Sequence, residues 1–224
     1  MNKDLLTYLS GYLTPQRQDL FNKVLEMRTR YLTVVLEDIY QPQNASAVLR
    51  TCDCFGLQDV HIIENRNTFE VNREVSLGSS KWLSLKKYNE KEQNSLQAIK
   101  HLKAQGYRIV ATTPHTNDQQ LHDFDVSKGK AALVFGSELP GITSRIMNEA
   151  DEFLKIPMYG FTESFNISVS AAIILHHLTL KMRQDERINW QLSDTEKDEI
   201  KLEWIRKTIK RSELIEQRFL KGDL

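Results

Sequence analysis

Apolar residues along the chain fall into two alternating patterns. Short continuous runs read as buried strands: Tyr31 to Leu36, Asp59 to Ile63, Tyr107 to Thr112, Lys130 to Phe135 and Phe153 to Pro157. Between them, apolar positions recur at the three-and-four spacing of a helix. The predicted helices run from Asn44 to Phe55, from Leu96 to Gln105, from Ile142 to Ala150 and from Ile167 to Arg183, and Gly56 and Gly106 close the first two. The strands do not alternate polar with apolar positions, so both faces of the sheet are expected to be covered. Strand–helix alternation of this kind predicts an α/β fold, a mainly parallel sheet with helices on both faces. Ligands in such sheets bind beyond the carboxyl ends of the strands, and the polar loops considered below all follow a predicted strand.

The two ends of the chain read differently. The first thirty residues are helical in pattern, and Pro15 opens a second helix with apolar positions Leu20, Phe21, Val24, Leu25 and Met27. After residue 185 the composition turns charged and polar, and Ser193-Asp-Thr-Glu196 is a capping box that starts a final helix. On it, Arg206, Lys207, Lys210 and Arg211 are spaced to make one basic stripe, either a solvated face or a phosphate-contacting one. The expected organisation is a helical extension over 1–30, an α/β domain over 31–183 and a second helical extension over 184–224.

Composition narrows the function classes. The 224 residues are 40% hydrophobic, enough for a sizeable core, with no apolar run long enough to cross a bilayer. The start, Met1-Asn2-Lys3-Asp4-Leu5-Leu6, lacks a signal pattern, so a cytoplasmic protein is expected. Thirty basic and thirty acidic residues cancel, so any nucleic-acid site must be a local patch. Cys52 and Cys54, two apart on a helix, point to nearly opposite sides; they read as helix-packing residues of a reducing compartment. His176 and His177 likewise diverge, and no metal site is expected.

Three stretches carry candidate chemistry. In Ile156-Pro-Met-Tyr-Gly-Phe-Thr-Glu-Ser-Phe-Asn-Ile-Ser-Val-Ser170, a strand runs through a polar loop into an apolar helix. Ser164, Asn166, Ser168 and Ser170 crowd the helix start, where backbone N–H groups are unpaired, and Gly160 permits close approach. In Asn44-Ala-Ser-Ala-Val-Leu-Arg50, Asn44 stands near a helix start and Arg50 follows in apolar surroundings. An arginine buried there needs either an acid such as Asp53 or a phosphate to grip. In Phe135-Gly-Ser-Glu-Leu-Pro-Gly141, a strand ends in a turn bracketed by two glycines, with Glu138 as its only charge. Glu138 is a partner for Arg50 or for a ligand amine. The spacing fits neither a P-loop nor a dinucleotide-binding fingerprint.

These three stretches, in this order, resemble the motifs of the SpoU/TrmH family, RNA ribose 2′-O-methyltransferases of the SPOUT superfamily. The likeness spans about Tyr31 to Arg183 and includes Gly78-Ser-Ser-Lys-Trp82. It implies a deep C-terminal trefoil knot, S-adenosylmethionine as methyl donor and a homodimer whose active sites draw on both subunits. It places Thr112, Gly136, Gly141, Ile156 and Phe165 along the cofactor, Ser164 and Asn166 facing the ribose, and Arg50 as the catalytic arginine, with Asn44 and Glu138 holding the site. The implied reaction methylates a ribose 2′-hydroxyl, that of a guanosine in the tRNA D-loop. The alternatives are an rRNA target or a relative that binds RNA without catalysis. Expected RNA contacts are Arg28, Arg30, Lys81 with Trp82, and the stripe Arg206, Lys207, Lys210 and Arg211. Gln43 stands where many members have histidine, and Phe165 where leucine is usual.

Overall fold

The computed structural model describes residues 3–90, 93–114, 119–138 and 140–221. They divide into two compact units, one built from the two chain ends, up to Thr29 and from Gln191 on, and one spanning Arg30–Trp190. The two predicted extensions fall in one unit except for Arg30 and residues 184–190, which belong to the central one.

In the terminal unit, α1 (Lys3–Ser10) and α2 (Pro15–Leu25) pack with α8 (Asp194–Thr208) and α9 (Ser212–Lys221). Proline at the first turn and the Thr14 hydroxyl, which accepts from the Arg17 N–H, open α2. The predicted capping box opens α8: the Ser193 hydroxyl accepts from the Glu196 N–H while the Glu196 carboxylate accepts from the Ser193 N–H. Phe21 and Leu25 are buried, with Phe21 edge-on to Trp204 at 5.4 Å between ring centroids. Leu20 and Met27, read from the sequence as part of the same apolar face, are instead about half exposed, at 48% and 52%. The helix stops at Leu25, so Met27 no longer follows its periodicity.

The central unit is one parallel sheet. Its strands are β1 (Leu32–Glu37), β2 (Asp59–Ile63), β3 (Ser84–Tyr88), β4 (Arg108–Thr112), β5 (Gln119–Gln120), β6 (Ala131–Phe135) and β7 (Glu152–Lys155). They lie in the order β3-β2-β1-β6-β4-β7-β5, every neighbour parallel. The connecting helices are α3 (Pro42–Cys54), α4 (Arg73–Ser76), α5 (Asn94–Ala104), α6 (Ser144–Glu149) and α7 (Ile167–Gln184).

Alternation along β1 shows how the faces are shared out. Leu32, Val34 and Leu36 join Val48, Leu49 and Cys52 of α3 and Ile174, Leu175 and Leu178 of α7 in one core. Val35 points the other way, into a core with Ala98, Ile99 and Leu102 of α5 and Ile146 of α6. Helices therefore cover both faces, as the unbroken apolar strands require. The sequence pattern misses β3 and β5. In β3, Lys86 and Lys87 are exposed on an edge strand, where charge discourages pairing with another chain. β5 is two glutamines long and has no periodicity to read.

Candidate active site

A cavity of about 580 Å³ opens at the carboxyl ends of β6, β4 and β7, three adjacent strands. Residues just beyond each strand build it: Thr113 after β4, Gly136 after β6 and Ile156 after β7, with Phe165 and Asn166 entering from the start of α7. All five expected cofactor residues, Thr112, Gly136, Gly141, Ile156 and Phe165, line this one space. Thr112 contributes without its hydroxyl, which donates to the Val134 carbonyl at 2.7 Å within the sheet.

The glycine bracket has a steric cause. A Cβ on Gly136 would collide with the backbone of Gly141 and Ile142. Gly141 closes the turn with φ +67, and its N–H donates to the Ser137 carbonyl at 3.0 Å. The first glycine is fixed by close approach of two backbones, the second by a left-handed conformation.

Three of the polar residues singled out in the sequence meet at the cavity edge. The Asn44 side-chain N–H₂ donates to Glu138 Oε1 at 2.8 Å and to Gln41 Oε1 at 3.1 Å. Asn44 Oδ1 in turn accepts from Asn166 Nδ2 at 3.1 Å. Asn166 also caps α7, its Oδ1 accepting from the Ser168 N–H at 2.8 Å and the Ser168 hydroxyl at 2.6 Å. Asn44 is buried and engaged at both ends of its amide, so it ties α3, the β6 loop and α7 together. Glu138, Ser164 and Asn166 line the cavity itself.

Arg50 departs from expectation. It lies on the exposed side of α3, outside the cavity wall, and makes no ion pair with Asp53 or Glu138 among the described residues. The apolar residues before it turn inward, while the helical period turns Arg50 outward. Gly160 also stands outside the wall, with open space around it. Sequence reading missed Met147, Met158 and Pro140 in the lining; Pro140 and Met158 sit inside motifs already quoted, so adjacency was the signal.

The predicted RNA contacts divide. Arg28 is only 2% exposed and lies with its guanidinium 5.4 Å from the Trp204 ring centroid, so it is a packing residue and not a surface cation. Arg30 pairs with Asp59 at 3.1 Å. Lys81 is exposed, its ammonium 4.9 Å from the Trp82 ring centroid. The late basic stripe is not continuous: α8 ends at Thr208, and Lys210 and Arg211 lie in the following turn, Arg211 with φ 57. Arg206 pairs with Glu216 and Lys207 with Glu203, both at 2.5 Å, so half of that positive charge is matched.

Among the described residues no group of three or more His, Cys, Asp or Glu is placed to hold a metal ion, and no helix is long and apolar enough to cross a membrane. Cys52 is buried and Cys54 exposed, both as free thiols. A parallel α/β unit with a small-molecule cavity beyond its central strands, walled by glycine turns and a capped helix start, defines the class of a cofactor-binding enzyme domain.

The chain belongs to the SpoU rRNA Methylase family, whose model matches residues 31–176. It is 43% identical over 208 residues to the tRNA (guanosine(18)-2′-O)-methyltransferase of Borreliella burgdorferi, covering 93% of each chain. It is 35% identical over 162 residues to the enzyme of the same description from Thermus thermophilus, covering 72% of this chain and 81% of that one. The crystal structure of the A. aeolicus TrmH/SpoU tRNA modifying enzyme superposes with a TM-score of 0.76 at 29% identity, covering 87% of this chain and 98% of the other.

Proposed function

We propose that the protein is an S-adenosylmethionine-dependent tRNA (guanosine-2′-O-)-methyltransferase acting on guanosine 18 in the D-loop. The observation that carries this reading is the joining of all three family motifs around one cavity by the hydrogen bonds of Asn44 with Glu138 and with Asn166. Similarity to the Borreliella enzyme over nearly the whole length supports the choice of RNA.

The residues present fit the cofactor. The cavity lies within the roughly 300–1,000 Å³ usual for small-molecule sites. Leu154, Ile156, Pro140 and Phe165 offer apolar walls for a flat base, and Gly136 leaves backbone exposed where no side chain fits. Thr112, Gly136, Gly141, Ile156 and Phe165 would hold it. When bound, S-adenosylmethionine supplies an electrophilic methyl group on its sulfonium.

The chain's own work is alignment and proton handling. Ser164 and Asn166, at the cavity edge, orient the ribose. Glu138 and Asn44 hold the edge in place. A guanidinium stays protonated at neutral pH and is therefore a poor base there. Arg50, outward-facing and free of other partners among the described residues, grips the phosphate beside the target ribose. The phosphate so held would share in accepting the proton that the ribose 2′-hydroxyl loses.

We further infer a homodimer. Val169 and Leu180 on α7 are 44% and 48% exposed, with His176 exposed between them, a face a second copy would cover and bring toward Arg50. The trefoil knot of the C-terminal part we propose on the strength of the family membership. A cytoplasmic site of action fits the tRNA substrate.

The test is methyl transfer from labelled S-adenosylmethionine to bulk tRNA and to rRNA separately, followed by nucleoside digestion. Label in 2′-O-methylguanosine from tRNA is expected. Label only in rRNA would overturn the substrate, and cofactor binding without transfer to either would favour a non-catalytic binder.

A further inference from the structure

Glu37 is the last residue of β1, fully buried, and outside the cavity wall. Its Oε1 accepts from the Ser95 hydroxyl at 2.6 Å and from the Thr143 hydroxyl at 2.8 Å, and its Oε2 accepts from the Thr143 N–H at 2.9 Å. A carboxylate is tolerated in such a place only when its oxygens are hydrogen-bonded. What it grips matters more than how it is satisfied. Thr143 directly follows Gly141 and Ile142, two residues of the cavity wall, and is the N-cap of α6, which contributes Met147 to that wall.

The Thr143 side chain makes no cap bond to its own helix, although threonine at this position ordinarily does. Its hydroxyl is committed to Glu37 instead. On the other side, Ser95 Oγ accepts from Asn65 Nδ2 at 2.9 Å, and the Asn65 N–H donates to Asp38 Oδ1 at 2.7 Å. Asp38 holds φ 52, a left-handed conformation unusual for a residue with a side chain, and its Oδ1 also accepts from the Arg66 N–H at 2.8 Å. A continuous set of bonds therefore runs from the strained end of β1 through α5 to the turn that closes the cavity.

We propose that Glu37 is a positioning residue for the cofactor: it clamps Thr143 through two hydrogen bonds and so fixes the Gly141–Ile142 wall before the cofactor arrives. This rests on the reading of the cavity as the S-adenosylmethionine site. A wall held in its bound shape spares the ordering that binding would otherwise have to impose. Loss of the clamp should weaken cofactor binding without touching the groups that face the ribose.

The experiment is calorimetric titration of S-adenosylmethionine into the full-length protein and into Glu37→Gln, Thr143→Val and Thr143→Ser, well below each unfolding temperature. Steady-state KM and kcat on tRNA are measured alongside. The Gln variant keeps the shape but opposes the Thr143 N–H with an amide N–H₂ in one orientation, and should bind about tenfold more weakly. Thr143→Val should lose affinity several-fold, and Thr143→Ser, which keeps the hydroxyl, should bind as the unaltered protein does. KM for the cofactor should rise while kcat at saturation stays within about twofold. Unchanged affinity in Thr143→Val, or equal weakening in Thr143→Ser, would overturn the clamp, and the pair decides even if Glu37→Gln does not fold. Absence of binding by the unaltered protein would instead overturn the site reading itself, and the proposal with it.

Discussion

Asn44 Nδ2 lies 2.8 Å from Glu138 Oε1, although 94 positions separate the two residues along the chain. The bond joins the start of α3 to the glycine-bracketed turn after β6, and Asn166 completes it from α7 through the other end of the same amide. One side chain therefore holds the three motif-bearing segments in register. Both ends of its amide are engaged, which makes it a member of the site's frame.

Replacing Asn44 with alanine removes all of these bonds and strands the partners Glu138 and Asn166. A stability loss of about 2 kcal/mol is expected, with methyl transfer at least tenfold slower. Asn44→Asp should be worse, because it sets a second carboxylate against Glu138. Urea unfolding and single-turnover transfer check both, and an Asn44→Ala enzyme of ordinary rate would contradict the framing role.

Arg50 should behave in the opposite way. It is exposed and unpaired among the described residues, so Arg50→Ala is expected to change stability by no more than about 0.5 kcal/mol. Cofactor affinity should hold while transfer falls by a hundredfold or more. Lysine should not restore it, since a single ammonium cannot grip phosphate as a planar fork does. Weakened cofactor binding in Arg50→Ala would assign the residue to the cavity instead.

Gly136→Ala tests the backbone approach. The added methyl meets the Gly141 and Ile142 backbone, which cannot swing aside as a side chain could. A cost of roughly 1–3 kcal/mol is expected for such overpacking, together with loss of cofactor binding, both visible by thermal unfolding with and without S-adenosylmethionine.

For RNA, exposure separates the candidates. Arg28→Ala should lower stability through lost packing on Trp204 without changing the salt dependence of tRNA binding. Lys81→Ala, and a Lys210→Ala/Arg211→Ala pair, should weaken tRNA binding and flatten its salt dependence. Arg206 and Lys207 should matter less, because each already faces a glutamate. Binding measured over a range of salt concentrations decides among them.

Acid sensitivity should trace in part to His61. Burial first, then the nearby His101 and Lys86, lowers its pKa from the ordinary 6.5 to about 4, and its Nδ1 lies 2.9 Å from the Tyr88 hydroxyl. The folded state thus resists protonation that the unfolded chain accepts. Its contribution is intact above pH 6.5, declines as the pH falls toward about 4, and is level below that. The loss across the window is roughly 3 kcal/mol. Urea unfolding at pH 7 and 4.5 should show a smaller difference for His61→Gln than for the unaltered protein.

The chain alone determines its strands and helices wherever both faces of an element are buried. Leu32 to Leu36, apolar but for Thr33, and Ala131 to Phe135, apolar throughout, are buried because each lies between helices in mid-sheet, and the helical period of Ile167 to Arg183 follows from one face packing on the core. The motifs also stand in the sequence, since Gly136, Gly141 and Asn166 are each residue types required by local geometry. Tertiary structure decides what depends on partners distant in sequence. Only folding shows that Asn44 bonds to Glu138 and Asn166, that Arg28 is buried and that Arg50 faces outward. Glu37 and Thr143 carry no signal in the sequence, because a buried carboxylate is defined by the donors brought to it across 106 residues of chain. A side chain's own chemistry is local; its role is set by what the fold places within hydrogen-bonding distance.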